Sequence, residues 1–200
     1  MITEFVLLDR PAALALALTL VLPLALALAS GDAQARRTGA VRTQAIDLIV
    51  IHSTGGPTCD AKTGRPLWVA AGTMDDNLRH IEAHPQLGIH YMIDRDGTLR
   101  ASVPEDRVAH HVYRVSGRSI AVELINDGDG RDPYPGAQLA SLVTLLRELQ
   151  QRHGIARSGV LRHSDLDHAP LPCDRAQRRK VDPGDAFPYE AVLDRAFPPR

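Results

Sequence analysis

The sequence predicts an α/β fold, a mixed central β-sheet flanked by helices. Three observations carry that expectation. Short apolar runs rich in β-branched residues recur at Ile46–Ile51 (IDLIVI) and Ser119–Ile125 (SIAVELI), and such runs read as buried strands. An amphipathic pattern fills 137–153, with Leu139, Leu142, Val143, Leu146 and Leu149 on one helical face. The order strand, helix, hairpin, strand, helix, strand then suits helices packed on one sheet.

The elements follow in order. The IDLIVI run ends at His52 and runs into Ser-Thr-Gly-Gly-Pro, a loop signal. Residues 59–74 read as a loop with room for a short helix. Asp75 or Asp76 is expected to cap a helix that Pro85 stops after His84. His90–Asp94 and Thr98–Val103 flank Arg95-Asp96-Gly97, and the Asp-Gly pair predicts a hairpin. SIAVELI is a second core strand, followed by the turn-rich NDGDGRDPYPG. Gly154 stops the 137–153 helix. Val160–Arg162 is a short strand that delivers His163 to the sheet edge where His52 lies. Residues 165–183 read as a long polar loop, and 188–197 as a closing helix.

Composition bounds the function. The 200 residues suffice for one domain and a short extension. The net charge of -1 gives no basic excess for nucleic acid, and the 4% aromatic content gives no stacking surface for single strands. Residues 11–30 (PAALALALTLVLPLALALAS) are uncharged and apolar, with Arg10 before them and Ala33-Gln34-Ala35 after. That pattern fits a secretory signal cleaved after Ala35, although Glu4 and Asp9 dilute its positive start. The run is also long enough for an uncleaved membrane anchor. The expected division is therefore 1–35 signal peptide or N-terminal anchor, 36–45 linker and 46–200 the functional domain. Either reading of 1–35 exports the domain to the periplasm or cell envelope. Loss of 1–35 removes Arg10, Glu4, Asp9 and Asp32 and leaves a chain near neutrality. In an oxidising compartment the two cysteines, Cys59 and Cys173, can pair. The alternative is that Cys173 binds metal.

Among nine histidines most are expected to be ordinary polar residues. His52 stands out because it ends a buried strand before a Gly-Gly loop. His163 stands out because it follows a second apolar run and precedes Ser-Asp. Asp182 lies in Lys-Val-Asp-Pro-Gly, where Pro183 and Gly184 make a tight turn that can aim a carboxylate. Two imidazoles and one carboxylate suit zinc, with a fourth position open for water. The three lie far apart in the chain, and spacing alone does not join them.

The segments IDLIVIHST, GIHYMIDRDGTL, VAHH, RSIAVELIN, LRHSD and KVDPG follow one another in order. Together they resemble the zinc-dependent N-acetylmuramoyl-L-alanine amidases related to peptidoglycan recognition proteins and amidase-type phage lysozymes. The resemblance runs from about Ile46 to Tyr189. It implies that family's fold and hydrolysis of the amide between the lactyl group of N-acetylmuramic acid and L-alanine, in peptidoglycan or muropeptides. It also implies His52, His163 and Asp182 as zinc ligands. It implies Glu123 as the base and Lys180 as the cation that steadies the developing oxyanion. Tyr91 matches a tyrosine often placed beside the metal site, where it either donates a hydrogen bond to substrate or merely packs. His111 keeps the family's histidine position and is expected to contact substrate. Cys173 stands outside the ligand motif, so it is expected to be a disulfide partner of Cys59 or a free thiol. The domain is expected to be a monomer.

Two departures stand out. The family often has Trp-His-Ala-Gly where this chain has His110-His111-Val112-Tyr113. The stretch HAPLPCDRAQRR lengthens the loop between His163 and Lys180. A non-catalytic peptidoglycan-binding module is the rival reading, and the complete ligand set argues against it. A cytosolic amidase that recycles anhydro-muropeptides is a second rival, against which the apparent signal segment argues.

Overall fold

The structure, a computed structural model, describes residues 39–84 and 86–199. The apolar run at 11–30 and its expected cleavage site lie outside the described residues. No helix among the described residues is long and apolar enough to cross a membrane. The elements in chain order are β1 (Leu48–Ser53), β2 (Gly56–Cys59), β3 (Pro66–Val69), α1 (Met74–Ala83), β4 (Tyr91–Ile93), β5 (Leu99–Ala101) and β6 (Ser119–Leu124). They continue with α2 (Gly136–His153), β7 (Val160–Arg162), α3 (His163–Leu166), β8 (Pro170–Leu171), β9 (Asp174–Arg178) and α4 (Tyr189–Ala196).

The central sheet has the order β5-β4-β6-β1-β7. β4, β6, β1 and β7 run parallel, and β5 closes the edge antiparallel to β4. A parallel sheet is covered on both faces, so its strands read as continuous apolar runs. That is why IDLIVI and SIAVELI lack alternation. One face packs Ile49, Ile51, Ile120, Val122 and Leu124 against Leu142, Leu146 and Leu149 of α2 and Val192 and Leu193 of α4. The other face packs Met92, Ala121 and Ile125 against Met74, Leu78 and Ile81 of α1.

The helices end for local reasons. Gly154 takes φ 68, and its amide donates to the Gln150 carbonyl at 2.8 Å, a left-handed cap that favours glycine. α1 is capped by Thr73 rather than Asp75 or Asp76, its hydroxyl accepting from the Asp76 amide at 3.1 Å. The expected 59–74 loop is in part the second strand of a hairpin, β2 against β3. The expected loop at 165–183 contains a second hairpin, β8 against β9. Both hairpins are small and largely exposed, so no buried face imposes alternation on their sequence. A disulfide between Cys59 and Cys173 joins them.

Within 36–45, expected to be a linker, Ala40, Val41, Thr43, Gln44 and Ala45 are exposed and Arg42 is half-buried. Val41 bridges to Arg107. The Arg42 guanidinium donates to the carbonyls of Glu105 (2.9 Å), Gly117 (2.7 Å), Arg107 (3.0 Å) and Ser119 (3.1 Å). It also lies 3.1 Å from His90 Nε2. His90 is fully buried. Its Nδ1 accepts from the Ala121 amide at 2.9 Å, so Nε2 carries the proton and faces the Arg107 carbonyl at 3.2 Å. Burial lowers the imidazole to about 4; the Arg107 carbonyl opposes the shift and the Arg42 charge adds to it.

A pH dependence of stability follows. The folded value of about 4 lies below the unfolded value of about 6.5. The contribution of neutral His90 is therefore complete above pH ~6.5 and is lost as pH falls toward 4, a loss of about 3 kcal/mol. Urea midpoints should fall across that window while ring ¹⁵N NMR shows His90 still neutral. A His90 that titrates near its ordinary value in the folded protein would contradict this.

Candidate active site

The parallel strands bring their C-terminal ends to one edge, where crevices form in open α/β sheets. His52 pairs laterally with Glu123, and Glu123 with Met92, so the three share one face of the sheet. Ile51 pairs with Arg162, which places His163 beside His52 as β7 passes into α3. Asp182 arrives from the turn after β9. The Ser164 amide donates to the Asp182 carbonyl at 2.9 Å, and the Tyr134 hydroxyl donates to the Pro183 carbonyl at 2.6 Å. Gly184 takes φ +83, and a Cβ there would sit 2.6 Å from the Gly128 carbonyl oxygen. The turn is thus tied to α3, to α2's lead-in and to the loop after β6.

Three ligand atoms converge. His52 Nδ1 lies 2.9 Å from His163 Nδ1, His163 Nδ1 lies 2.9 Å from Asp182 Oδ2, and His52 Nδ1 lies 3.3 Å from that same oxygen. All three residues are buried. Among the described residues they form the one group of His, Cys, Asp or Glu placed to hold a metal ion. The separations match the edge of a tetrahedron around zinc, about 3.3 Å for bonds of about 2.0 Å. The donor chemistry fits as well, since neutral imidazole and carboxylate are zinc's usual partners beside thiolate. Burial pushes His52 down to about 4, with the Asp182 hydrogen bond opposing it. Burial would raise Asp182, but its close contacts with the His163 and His52 imidazoles outweigh that and hold the carboxyl well below the usual range. Each shift leaves a lone pair available to a cation.

Around the cluster lies a cavity of about 380 Å³. Glu123 and Lys180 line it with the three ligand residues. Burial raises the Glu123 carboxyl to about 8; Asp182 adds to the rise and Lys180 opposes it. A carboxyl with that proton affinity suits proton transfer near neutral pH. Lys180 makes no salt bridge among the described residues. Further parts of the wall come from Pro57, Thr58 and Val69 of the first hairpin and from Asn77 and His80 of α1. Sequence reading missed these walls because the hairpin carries no buried pattern.

The two expected substrate contacts part ways: Tyr91 faces away from the cavity and His111 lines it. Tyr91 pairs laterally with Val122, on the opposite face from Met92 and Glu123. Its hydroxyl donates to Glu105, which also accepts from Arg152 and His153. The period of two along β4 turns Tyr91 away from the cavity, and Met92 lines it instead. His111 does line the cavity, but both ring nitrogens are taken. Nδ1 lies 2.9 Å from His52 Nε2, and Nε2 lies 2.9 Å from Ser119 Oγ. Sequence reading also missed Ser119, although it opens β6 on the same face as Glu123, four residues on.

Residues 42–185 match the family model described as N-acetylmuramoyl-L-alanine amidase. The chain belongs to this amidase family. The 1,6-anhydro-N-acetylmuramyl-L-alanine amidase AmpD of Citrobacter freundii is 30% identical over 156 residues, 71% of this chain and 76% of its own. The amidase AmiD of Escherichia coli, solved in complex with the substrate anhydro-N-acetylmuramic acid-L-Ala-D-gamma-Glu-L-Lys, superposes with a TM-score of 0.58 at 24% identity, over 80% of this chain and 61% of that one. The amidase LysC from Clostridium intestinale URNW superposes with a TM-score of 0.52 at 23% identity, over 74% of this chain and 82% of that one. The last two likenesses establish the amidase fold.

The turn that delivers Asp182 supplies a prediction. Gly184→Ala forces a side chain into a left-handed backbone against the Gly128 carbonyl, a strain of about 2 kcal/mol. Urea unfolding should show that loss, and metal titration should show weaker binding as Asp182 is displaced. Unchanged stability and unchanged metal binding would refute the role given to this turn.

Proposed function

We propose that this amidase is a zinc hydrolase that cuts the lactyl–L-alanine amide with His52, His163 and Asp182 as metal ligands. One observation supports the ligand assignment above others: three buried lone-pair atoms from distant parts of the chain lie 2.9 to 3.3 Å apart. When bound, zinc supplies Lewis acidity to the carbonyl and acidifies a water. The protein's own groups do the rest. Glu123 takes the proton from the attacking water and returns it to the amine of L-alanine as that amine leaves. Lys180 faces the charge that develops on the carbonyl oxygen, and such a fixed cation lowers the barrier by several kcal/mol, about 3. Because Glu123 and His52 are lateral neighbours in adjacent strands, the sheet holds base and ligand in fixed register.

The substrate class is peptidoglycan or its muropeptides. The domain works outside the cytoplasm, behind a signal peptide or anchor at 1–35, as a monomer. The disulfide between Cys59 and Cys173 supports the export reading, since such bonds persist in oxidising compartments. The anhydro-muropeptide named with the AmiD complex is the first substrate to test.

Two variants separate the roles. Glu123→Gln should retain zinc and lose activity by roughly 10²-fold or more. His163→Ala should lose both. Product mass spectrometry on muropeptides, with zinc content measured on the same samples, checks each. Glu123→Gln working near the wild-type rate with zinc bound would remove Glu123 as the base. Wild-type protein that binds muropeptides tightly without releasing stem peptide would point to a recognition module.

A further inference from the structure

We propose that Ser119 and His111 form a hydrogen-bond relay that fixes the tautomer of His52, so that His52 presents Nδ1 as a lone pair to the metal. The inference rests on the zinc site proposed above and adds two positioning residues to it.

The relay is read from its far end. The Ser119 hydroxyl donates its one proton to the Val115 carbonyl at 2.8 Å. Its oxygen can therefore only accept from His111 Nε2, 2.9 Å away. A proton on Nε2 makes Nδ1 of neutral His111 the acceptor. That Nδ1 faces His52 Nε2 at 2.9 Å, so His52 carries its proton on Nε2. His52 Nδ1 is then bare, and it is the atom that points at His163 and Asp182. The same chain follows from the metal side. A histidine that ligates through Nδ1 must keep a proton on Nε2, and a buried N–H needs an acceptor. His52 is 4% exposed, and among the described residues the acceptor for its Nε2 is His111.

The backbone is built to hold this line. Ser116 Oγ accepts from the amides of His111 and Val112, both at 3.1 Å, and donates to the Val112 carbonyl at 2.7 Å. That closes the loop which presents His111. Ser119 begins β6 with its carbonyl accepting from Arg42, so the relay's far end is anchored to the sheet. His52 and His111 meet edge to face, with ring centroids 5.1 Å apart. The departure at 110–113 thus keeps the imidazole that His52 needs.

The test uses His111→Asn and His111→Leu in the full chain. Asparagine places Oδ1 where histidine has Nδ1, so it keeps the acceptor; leucine fills similar space without one. Zinc affinity is measured by competition with a chelator, alongside ring ¹⁵N NMR of metal-free protein and a urea midpoint. His111→Leu should weaken zinc by roughly tenfold to a hundredfold, with His111→Asn staying within about threefold of wild type. Wild-type His52 should show a protonated Nε2 and a bare Nδ1, and His111→Leu should lose that preference. Ser119→Ala, a smaller change, should weaken zinc in the same direction if His111→Leu does not fold. Equal losses in His111→Asn and His111→Leu, or no loss in His111→Leu or Ser119→Ala, would overturn the relay. A wild-type His52 protonated on Nδ1 in a protein that binds zinc tightly would overturn the relay alone. Failure of the wild type to bind zinc would overturn the metal site, while the NMR tautomer still judges the relay.

Discussion

The molecule is organised around one constraint: three polar ligand atoms must be buried together at the end of an apolar sheet. His52 Nδ1, His163 Nδ1 and Asp182 Oδ2 sit 2.9 to 3.3 Å apart with little access to water. Each offers a lone pair, and lone pairs at those separations repel unless a proton or a cation lies between them. Burying such groups without a partner costs several kcal/mol, on the order of 3. The surrounding structure therefore has to force the geometry. β1 and β7 do so by parallel pairing that sets His52 beside His163. The Asp182 turn does so through its bonds to Ser164 and Tyr134 and its close packing at Gly184. The apolar strands and α2 supply the rigid base against which these polar residues are held.

Much of this was legible in the sequence, and the parts that were not share a cause. β1, β6, β7, α2 and α4 could be read because burial writes a pattern into them: continuous apolar runs for parallel strands and a helical stripe for α2. His52 and His163 stood out as polar residues at the ends of such runs, while Glu123 was reached through the family resemblance. The two hairpins left no such mark, since β3 and most of β9 are exposed. Tyr91 went astray for a related reason. A match to a motif gives a position along the chain, whereas the cavity is chosen by strand alternation, which hands the site to Met92. Ser119 and its link to His111 depend on a loop closure between residues 111 and 119 that periodicity does not encode.

The hairpins connect fold to function. β2 and β3 build one wall of the cavity, and β9 leads directly into Arg179, Lys180 and Asp182. The Cys59–Cys173 bond therefore couples one wall of the cavity to the segment that carries Lys180 and Asp182. This gives the long insertion between His163 and Lys180 a physical task, since the added chain reaches across to β2. Exposed Leu67, Trp68 and Val69 lie on that same hairpin, and Val69 lines the cavity.

We propose that zinc sits among His52, His163 and Asp182. Anomalous diffraction at the zinc edge, on crystals of protein purified without added chelator, tests it most directly. Zinc held there should give one peak at about 2.0 to 2.2 Å from His52 Nδ1, His163 Nδ1 and an Asp182 carboxylate oxygen. A zinc peak held by other residues, or a site that stays without a peak after soaking in zinc, would contradict it.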